Sequence, residues 1–205
     1  MELLLNKVCG QPAALSVAVR RCSPADAAAF FALQNEVRAA MPHPEQFVPD
    51  TQENITAYLA HDLCLGVFDG ERLGAYFILR YCGQSEHNYA AFLGIPQAEW
   101  DHWANADSAV VHPDWRGNGL QRKLLEAALP LLRPGIVGIG ATVSPENQYS
   151  LNNALACGFT IAARREMYGG YDRYLLEKEY EKAGLLLYSF RHRSRDVTSL
   201  LEGGF

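Results

Sequence analysis

The segment at residues 110–125, VVHPDWRGNGLQRKLL, constrains this chain more than any other. A short apolar strand at residues 108–111 runs into a glycine-containing loop, and the loop runs directly into a helix. Gly117 and Gly119 let the backbone approach an anion closely, and the N–H groups of the first helical turn point at that anion. The segment therefore predicts a strand, loop and helix unit that binds a pyrophosphate.

Two well-known phosphate loops fit this segment less well. The Walker pattern needs GxxxxGK followed by Ser or Thr, and the dinucleotide fingerprint needs GxGxxG, whereas Gln121 and Arg122 follow Gly119 and Leu120. A glycine-rich turn that only starts a helix is the alternative that the segment alone leaves open.

The hydrophobic periodicity of the remaining chain predicts a mixed α/β domain built on one sheet. After a loose start, the predicted order is a strand, two helices, several strands, a helix, a strand, a helix and two strands. Asp69-Gly70 and Gly169-Gly170 are typical of hairpin turns, and Pro130 predicts a kink or end in the helix that follows the glycine loop. Residues 83–105 are either a short helix after Pro96 or a functional loop.

Length, charge and cysteine usage exclude several classes of protein. The 205 residues fit one elaborated domain, and 18 Lys and Arg against 23 Asp and Glu give a net charge of -5. Nucleic acid is therefore disfavoured as a partner, and a cationic partner suits the surface better. Five cysteines without a CxxC pair and histidines without ligand spacing predict no disulfide, no metal and a reducing cytoplasm. Lys7 interrupts the apolar run near the start, so no membrane segment is expected.

Two motifs resemble the GNAT superfamily of acetyl-CoA-dependent N-acetyltransferases. The family's signature of Arg or Gln, two residues, Gly, one residue and Gly or Ala lies on Arg116, Gly119 and Gln121, although Gln121 departs from the last position. Asn-x-x-Ser followed later by Gly-Phe matches Asn147, Ser150 and residues 158–159. The resemblance spans roughly residues 16–180.

The resemblance implies a GNAT-type α/β (α+β) fold with a central mixed, mostly antiparallel sheet that is splayed in the middle and flanked by helices. It implies acetyl-CoA as co-substrate, with its pantetheine arm in the split. The residues expected to bind it are Val110, Val111, Arg116, Gly117, Asn118, Gly119, Leu120, Gln121, Asn147 and Ser150. Capping of a helix is the alternative role of Asn147, and Ser144-Pro145 offers another cap just upstream. Arg116, with Arg122 and Lys123, is expected to offset the acidic global charge.

The implied activity is direct transfer of an acetyl group to a primary amine of a small molecule or peptide in a ternary complex. Many family members have a tyrosine four residues before the Gly of Gly-Phe, and Ala154 occupies that position here. Tyr149 is the predicted substitute, with Tyr168 and Tyr171 as alternatives. Asp107 is the predicted general base, and a solvated carboxylate at a strand edge is its alternative reading.

Several alternatives stay open. Ala154 and Gln121 motivate a non-catalytic acyl-CoA-binding or sensing module, and the loop alone also suits a nucleotide or phosphate binder. A single domain over residues 1–205 is expected, with a core at about 16–180, an N-terminal extension and a tail at 181–205. That tail could pack on the sheet, form a homodimer or bring basic residues to the phosphates. The acidic and aromatic residues of segment 83–105 could close over an amine, or could form a packed surface loop. Those residues are Glu86, Glu99, Trp100, Asp101 and Trp103.

Overall fold

One eight-stranded sheet organises the residues that the computed structural model describes, which are 1–44 and 47–180. The predicted tail at 181–205 lies outside the described residues. The strands are β1 (Glu2–Val8), β2 (Gln11–Arg21), β3 (Leu63–Asp69), β4 (Arg72–Arg80), β5 (Trp103–Val111), β6 (Gly138–Val143), β7 (Thr160–Met167) and β8 (Tyr171–Glu179). The helices are α1 (Ala27–Ala39), α2 (Gln52–His61), α3 (Tyr89–Phe92), α4 (Leu120–Ala128) and α5 (Gln148–Ala156).

The sheet is mixed and splits in its middle. Its order is β1-β2-β3-β4-β5-β6-β8-β7, and only the β5–β6 pair is parallel. That pair is registered from Trp103–Gly138 to Ala106–Ala141, whereas β5 continues to Val111 and β6 to Val143. The two strands therefore diverge beyond Ala106 and Ala141, which confirms the predicted mostly antiparallel, splayed sheet.

Helices cover both faces of this sheet. On one face, Phe30 of α1 and Ile55 of α2 pack with Tyr76 and Ile78 of β4. On the other face, the apolar stripe of α4 packs with alternate residues of the central strands. Each face of the sheet therefore has its own hydrophobic core, and the split lies between β5 and β6 of the sheet that separates them. None of the described helices is long and apolar enough to cross a membrane.

The end of α4 agrees with its sequence. Leu120, Leu124 and Ala128 are buried, and the helix stops at Ala128. A single 3-10 turn, Leu129–Leu131, follows because Pro130 has no N–H to continue the α-helical hydrogen bonds. The predicted kink or end at Pro130 is confirmed.

Two predictions about strands are wrong. The start of the chain is not loose but forms β1, because Leu5 is fully buried and the strand pairs with β2. Strand β5 starts at Trp103 rather than residue 108. Its Asn105 is buried because the side-chain amide donates to His87 O and the carbonyl accepts from Tyr89 N, a pattern that hydropathy does not reveal. Asp107 consequently lies within the strand and not at its start.

A tryptophan anchors the glycine loop to the sheet. Trp115 is completely buried and lies over Gly74 of β4, where a Cβ atom would come within 2.1 Å of Trp115 Cε3. Trp115 belongs to the same core as Leu5 of β1 and Val67 of β3. The loop between β5 and α4 is therefore held across the face of the sheet by one side chain.

The fit of Trp115 against Gly74 predicts a conditional destabilisation. Gly74→Ala should lower the free energy of unfolding by about 1–3 kcal/mol, because Ala overpacks a filled site. In a Trp115→Leu background the same change should cost nearly nothing, since the clashing ring is gone. Denaturant unfolding of the four proteins of this double-mutant cycle measures the coupling. Equal costs in both backgrounds would contradict the contact.

Candidate active site

A cavity of about 710 Å³ runs through the split between β5 and β6. Its walls come from both faces of the sheet. On the side of α4 and α5 it is lined by Gln121, Arg122, Leu125, Asn147, Ser150, Asn153, Ala154 and Phe159. On the side of α1 and α2 it is lined by residues that include Asp50, Tyr58, Arg80, His87, Tyr89, Asp107, Thr142, Tyr168 and Arg173. One continuous space therefore connects the glycine-loop helix with a group of titratable side chains.

The loop before α4 leaves helical N–H groups uncapped by any side chain. Gly117 and Gly119 have φ of +83° and +66°, a region that glycine enters without a Cβ penalty. Gly119 is the N-cap of α4. Because glycine has no side chain, no N-cap side chain accepts a hydrogen bond from the N–H groups of the first turn. These N–H groups and the helix dipole form an anion site, and Arg116 lies exposed beside it. The arrangement suits the predicted pyrophosphate.

Two of the loop side chains point elsewhere. Leu120 is buried in the core, and Asn118 is 9% exposed with its amide bonded to the backbone of β1 and Trp115. These two residues therefore offer backbone groups, not side chains, to a ligand on the loop.

Gln121 connects the two helices that line the cavity. Its Nε2 donates to Ser150 Oγ at 3.3 Å, and its Oε1 accepts from Asn153 Nδ2 at 2.9 Å. This bridge between α4 and α5 explains a long side chain where the family has Gly or Ala. Gln121, Ser150 and Asn147 all line the cavity, so the structure brings three predicted cofactor residues together.

Asn147 caps α5 and also lies at the cavity wall. Its Oδ1 accepts from Ser150 N at 3.0 Å, which caps α5. Its side of the helix terminus also lines the cavity. Capping fixes the residue at the cavity wall and does not remove it from a binding site.

The edge of β5 that faces the split has no strand partner beyond Ala106 among the described residues. Val110 and Val111 pair with Tyr76 and Ala75 of β4 on the other edge. Backbone groups on the open edge are therefore available to a ligand that adds to the sheet like a strand.

Asp107 occupies a bulge in β5. The pairing with β4 shifts between Ile78–Ser108 and Leu79–Ala106, so Asp107 is the extra residue. Its carboxylate lies 3.5 Å from Arg80 Nη1 and its side chain is 15% exposed. Burial raises the pKa of Asp107 to about 6. The Arg80 cation lowers this pKa, whereas the Asp50 carboxylate raises it further. A carboxyl with this pKa can accept a proton near neutral pH.

The structure separates the candidate tyrosines. Tyr149 is 87% exposed and does not line the cavity, and neither does Tyr171. Tyr168 does line it, with its hydroxyl 2.6 Å from Tyr89 Oη and 2.9 Å from Thr142 Oγ1. Thr142 is the first residue beyond the last β5–β6 pair, so this hydroxyl cluster sits where the split begins.

Tyr168 is held in an unusual backbone conformation. Its φ is +55°, which a residue with a Cβ rarely adopts, and the turn to Gly169 and Gly170 follows directly. Although 44% of Tyr168 is exposed, desolvation at its hydroxyl raises its pKa, so the hydroxyl stays protonated at neutral pH. The residue can therefore act as a hydrogen-bond donor to a ligand in the split.

Several cavity residues have no local sequence signal. Asp50 follows α1, Tyr58 lies in α2 and Arg80 ends β4, and only the fold brings them together. Tyr58 Oη donates to Asp50 Oδ1 at 3.1 Å, and the Arg80 guanidinium lies 4.1 Å from the centre of the Tyr58 ring. No pattern in the sequence indicates that Gly140 matters for the site. A Cβ atom there would lie 2.6 Å from Tyr89 Cβ, so only glycine leaves room for Tyr89.

The segment at residues 83–105 contributes differently from the prediction. Its acidic and tryptophan residues do not line the cavity, and Trp100 Nε1 donates to Ile95 O within the segment itself. His87 and Tyr89 line the cavity instead. The segment forms α3 and the 3-10 helix Gln97–His102, so the packed-loop alternative describes most of it better.

A family model describes this architecture. Residues 31–159 match the model of the acetyltransferase (GNAT) family, which is more than half of the chain. This chain belongs to the GNAT acetyltransferase family. The co-substrate of the acetyltransferase is acetyl-CoA.

Solved structures with the same fold have low sequence identity to this acetyltransferase. A GNAT-family acetyltransferase from Streptococcus pneumoniae is 20% identical, with a TM-score of 0.62 over 80% of this chain and 99% of that one. The ribosomal-protein-S18-alanine N-acetyltransferase from Escherichia coli is 18% identical, with a TM-score of 0.62 over 84% and 99%. YncA from Salmonella typhimurium, a putative acetyltransferase solved with acetyl-CoA, is 18% identical, with a TM-score of 0.62 over 82% and 96%. No curated protein sequence matches this chain significantly.

Metal ligands do not cluster in this acetyltransferase where its structure is described. No group of three His, Cys, Asp or Glu in residues 1–44 and 47–180 could hold a metal ion.

The loop geometry predicts a selective loss of co-substrate binding. Gly119→Val should raise the Kd for CoA at least about 100-fold, because the side chain enters the anion site and φ of +66° strains a β-branched residue. Gly70→Val is the matched control: Gly70 has φ of +57° and open space around a Cβ, but lies in the β3–β4 turn. Calorimetric titration should show unchanged CoA affinity for that control. Equal affinity of both variants would contradict the anion site.

Proposed function

We propose that this acetyltransferase moves an acetyl group from acetyl-CoA directly to a primary amine of a small molecule or peptide. The observation that carries this proposal is the continuous cavity, which extends from Gln121 and Arg122 in the first turn of α4 to Asp107 and Tyr168. Both substrates can enter it from opposite faces of the sheet. A ternary complex therefore needs no covalent acetyl-enzyme.

The acetyl-CoA half of the proposed complex rests on the backbone. The pyrophosphate would bind the amides of loop 116–121 and the first turn of α4. The pantetheine arm would follow the open edge of β5 at Val110 and Val111, with Asn147 and Ser150 on the opposite wall. This course directs the thioester toward the first unpaired residues, Asp107 and Thr142.

Asp107 is the proposed proton acceptor. As the amine nitrogen attacks the thioester carbonyl carbon, the new C–N bond makes that nitrogen strongly acidic. The Asp107 carboxylate takes the proton, either directly or through one water. Its burial beside Arg80 gives it a pKa of about 6, which is closer to neutral pH than that of an ordinary aspartate.

Tyr168 is the proposed proton donor. When the tetrahedral intermediate collapses, the C–S bond breaks and the sulfur leaves with the electron pair. The Tyr168 hydroxyl, supported by Tyr89 and Thr142, would donate its proton to that sulfur. This role would replace the family tyrosine whose position is Ala154, a residue that lines the same cavity.

The acceptor side of the cavity carries carboxylates that can contact an amine. Asp50 and Asp107 line it beside Arg80 and Arg173, and the Arg80 guanidinium also lies 4.0 Å from Asp62. The Escherichia coli enzyme named above is a ribosomal-protein-S18-alanine N-acetyltransferase, which supports including peptide amines. All five cysteines are free thiols, and this supports the proposed cytoplasmic location.

A sensing module is the second candidate, because Ala154 leaves the usual donor position empty. Thiol release with a panel of amines separates the two functions. The proposed enzyme releases CoA faster with an amine present, whereas a sensor binds acetyl-CoA without amine-dependent release.

The pKa of Asp107 predicts the acid limb of the pH profile. The carboxylate form exists above about pH 6, so kcat/KM for the amine should fall as pH drops through 6. Asp107→Asn should remove this inflection and lower kcat/KM about 100-fold or more. Asp50→Asn should move the inflection below 6, because the Asp50 charge opposes ionisation of Asp107. An inflection that survives in Asp107→Asn would exclude Asp107 as the base.

The hydroxyl cluster predicts a kcat effect. Tyr168→Phe should lower kcat about 100-fold with little change in KM for acetyl-CoA, since the donor acts on the leaving sulfur. Tyr149→Phe tests the other sequence candidate in the same steady-state assay. A slow Tyr149→Phe enzyme beside a normal Tyr168→Phe enzyme would reverse the assignment.

A further inference from the structure

The N-terminal strand is attached directly to the phosphate loop. Asn118 Oδ1 accepts from Asn6 N at 2.9 Å and from Lys7 N at 3.1 Å, and Asn118 Nδ2 donates to Lys7 O at 2.8 Å. A backbone hydrogen bond of 2.7 Å from Cys9 N to Asp114 O adds a second link. Four hydrogen bonds thus join β1 to the loop that precedes α4.

These bonds use the free edge of an edge strand. Among the described residues β1 pairs only with β2, so the N–H groups on its other side need partners. The Asn118 carboxamide supplies them, and its remaining hydrogen donates to Trp115 O at 2.9 Å. Strand, loop and the buried Trp115 therefore form one rigid unit, and residues on this end of β1 have a fixed position relative to the anion site.

Lys7 is the charged residue at this junction. Its Cδ lies 3.5 Å from the position that a Cβ on Gly117 would occupy, so its methylene chain follows the loop backbone. The residue is exposed, and its aliphatic chain lies beside Gly117 of the loop that precedes α4.

Two neighbouring cations, Arg72 and Arg122, are paired with carboxylates, but Lys7 is not. Arg72 is bound to Asp114 at 2.9 Å and Arg122 to Glu126 at 2.8 Å. Within the described ranges Lys7 forms no ion pair. Its charge is therefore available to an anionic ligand on the loop.

We propose that Lys7 binds a phosphate group of acetyl-CoA and that Asn118 is the positioning residue that holds it there. The proposal rests on the proposed binding of the co-substrate at loop 116–121. β1 lies outside the residues that match the family model, 31–159, so the family match does not itself include this contact. An ammonium group on a flexible stem suits either the pyrophosphate or the ribose 3′-phosphate.

Titration with three ligands tests the role of Lys7. In Lys7→Met the Kd for CoA should rise about fivefold, as expected for one exposed charge contact. The Kd for pantetheine, which has no phosphate, should not change. Dephospho-CoA locates the contact: an equal rise for it assigns Lys7 to the pyrophosphate, and no rise assigns Lys7 to the 3′-phosphate.

Arg21→Met is the matched control. Arg21 is the last residue of β2, whereas Lys7 of β1 pairs near the first residues of β2. The substitution therefore removes the same charge far from the loop and should leave all three affinities unchanged. The thermal midpoint of each free variant shows whether it is folded. Equal CoA affinity of Lys7→Met and the wild type, or the same loss in Arg21→Met, would overturn the contact.

Coupling to Asn118 tests the positioning role. Asn118→Ala should weaken CoA more than pantetheine, and should cost less in the Lys7→Met background than alone, because the cation it positions is then missing. Additive effects would leave Asn118 with a structural role and refute this part of the proposal. If the wild type itself fails to bind CoA, the co-substrate assignment fails. If the wild type binds CoA and Lys7→Met binds it equally well, only the proposed role of Lys7 fails.

Discussion

The burial of Trp115 against Gly74 is the interaction on which the site depends. A buried tryptophan removes about 150–250 Å² of surface from water, worth roughly 4–6 kcal/mol at 25 cal/mol per Å². Its indole Nε1 has no hydrogen-bond partner in residues 1–44 and 47–180, and a buried donor left unpaired costs about 1–3 kcal/mol. The balance still favours burial. Because Trp115 lies between the end of β5 and the start of α4, its position fixes the loop, and through Asn118 the loop fixes β1.

Charge is distributed to suit two substrates of opposite sign. The chain carries a net charge of -5, yet acetyl-CoA is an anion. The anion site resolves this conflict with N–H groups and a helix dipole, which contribute no formal charge, and with the few local cations that are not paired with carboxylates. On the opposite face of the split, the carboxylates of Asp50 and Asp107 lie beside the guanidinium groups of Arg80 and Arg173. An anion on one side and a cationic amine on the other would meet at the same opening.

Local sequence patterns predicted the conformation of the loop before α4 well, because that conformation depends on adjacent residues. Glycines with positive φ, the cap of α5 and the stop at Pro130 each depend on a few adjacent residues. The acceptor side could not be predicted in this way. Asp50, Arg80 and Tyr168 come from distant segments, and Gly140 matters only because Tyr89 approaches it in space. The bulge at Asp107 depends on the register between two strands, and the motif led to the residue without showing its environment.

A crystal structure with acetyl-CoA is the most direct test of this account. It predicts the pyrophosphate within hydrogen-bond distance of the amides of residues 117–121, and the pantetheine arm along the open edge of β5. The thioester carbon should lie between Asp107 and the Tyr168 hydroxyl. Acetyl-CoA bound outside the split, or with its thioester turned away from both residues, would contradict it.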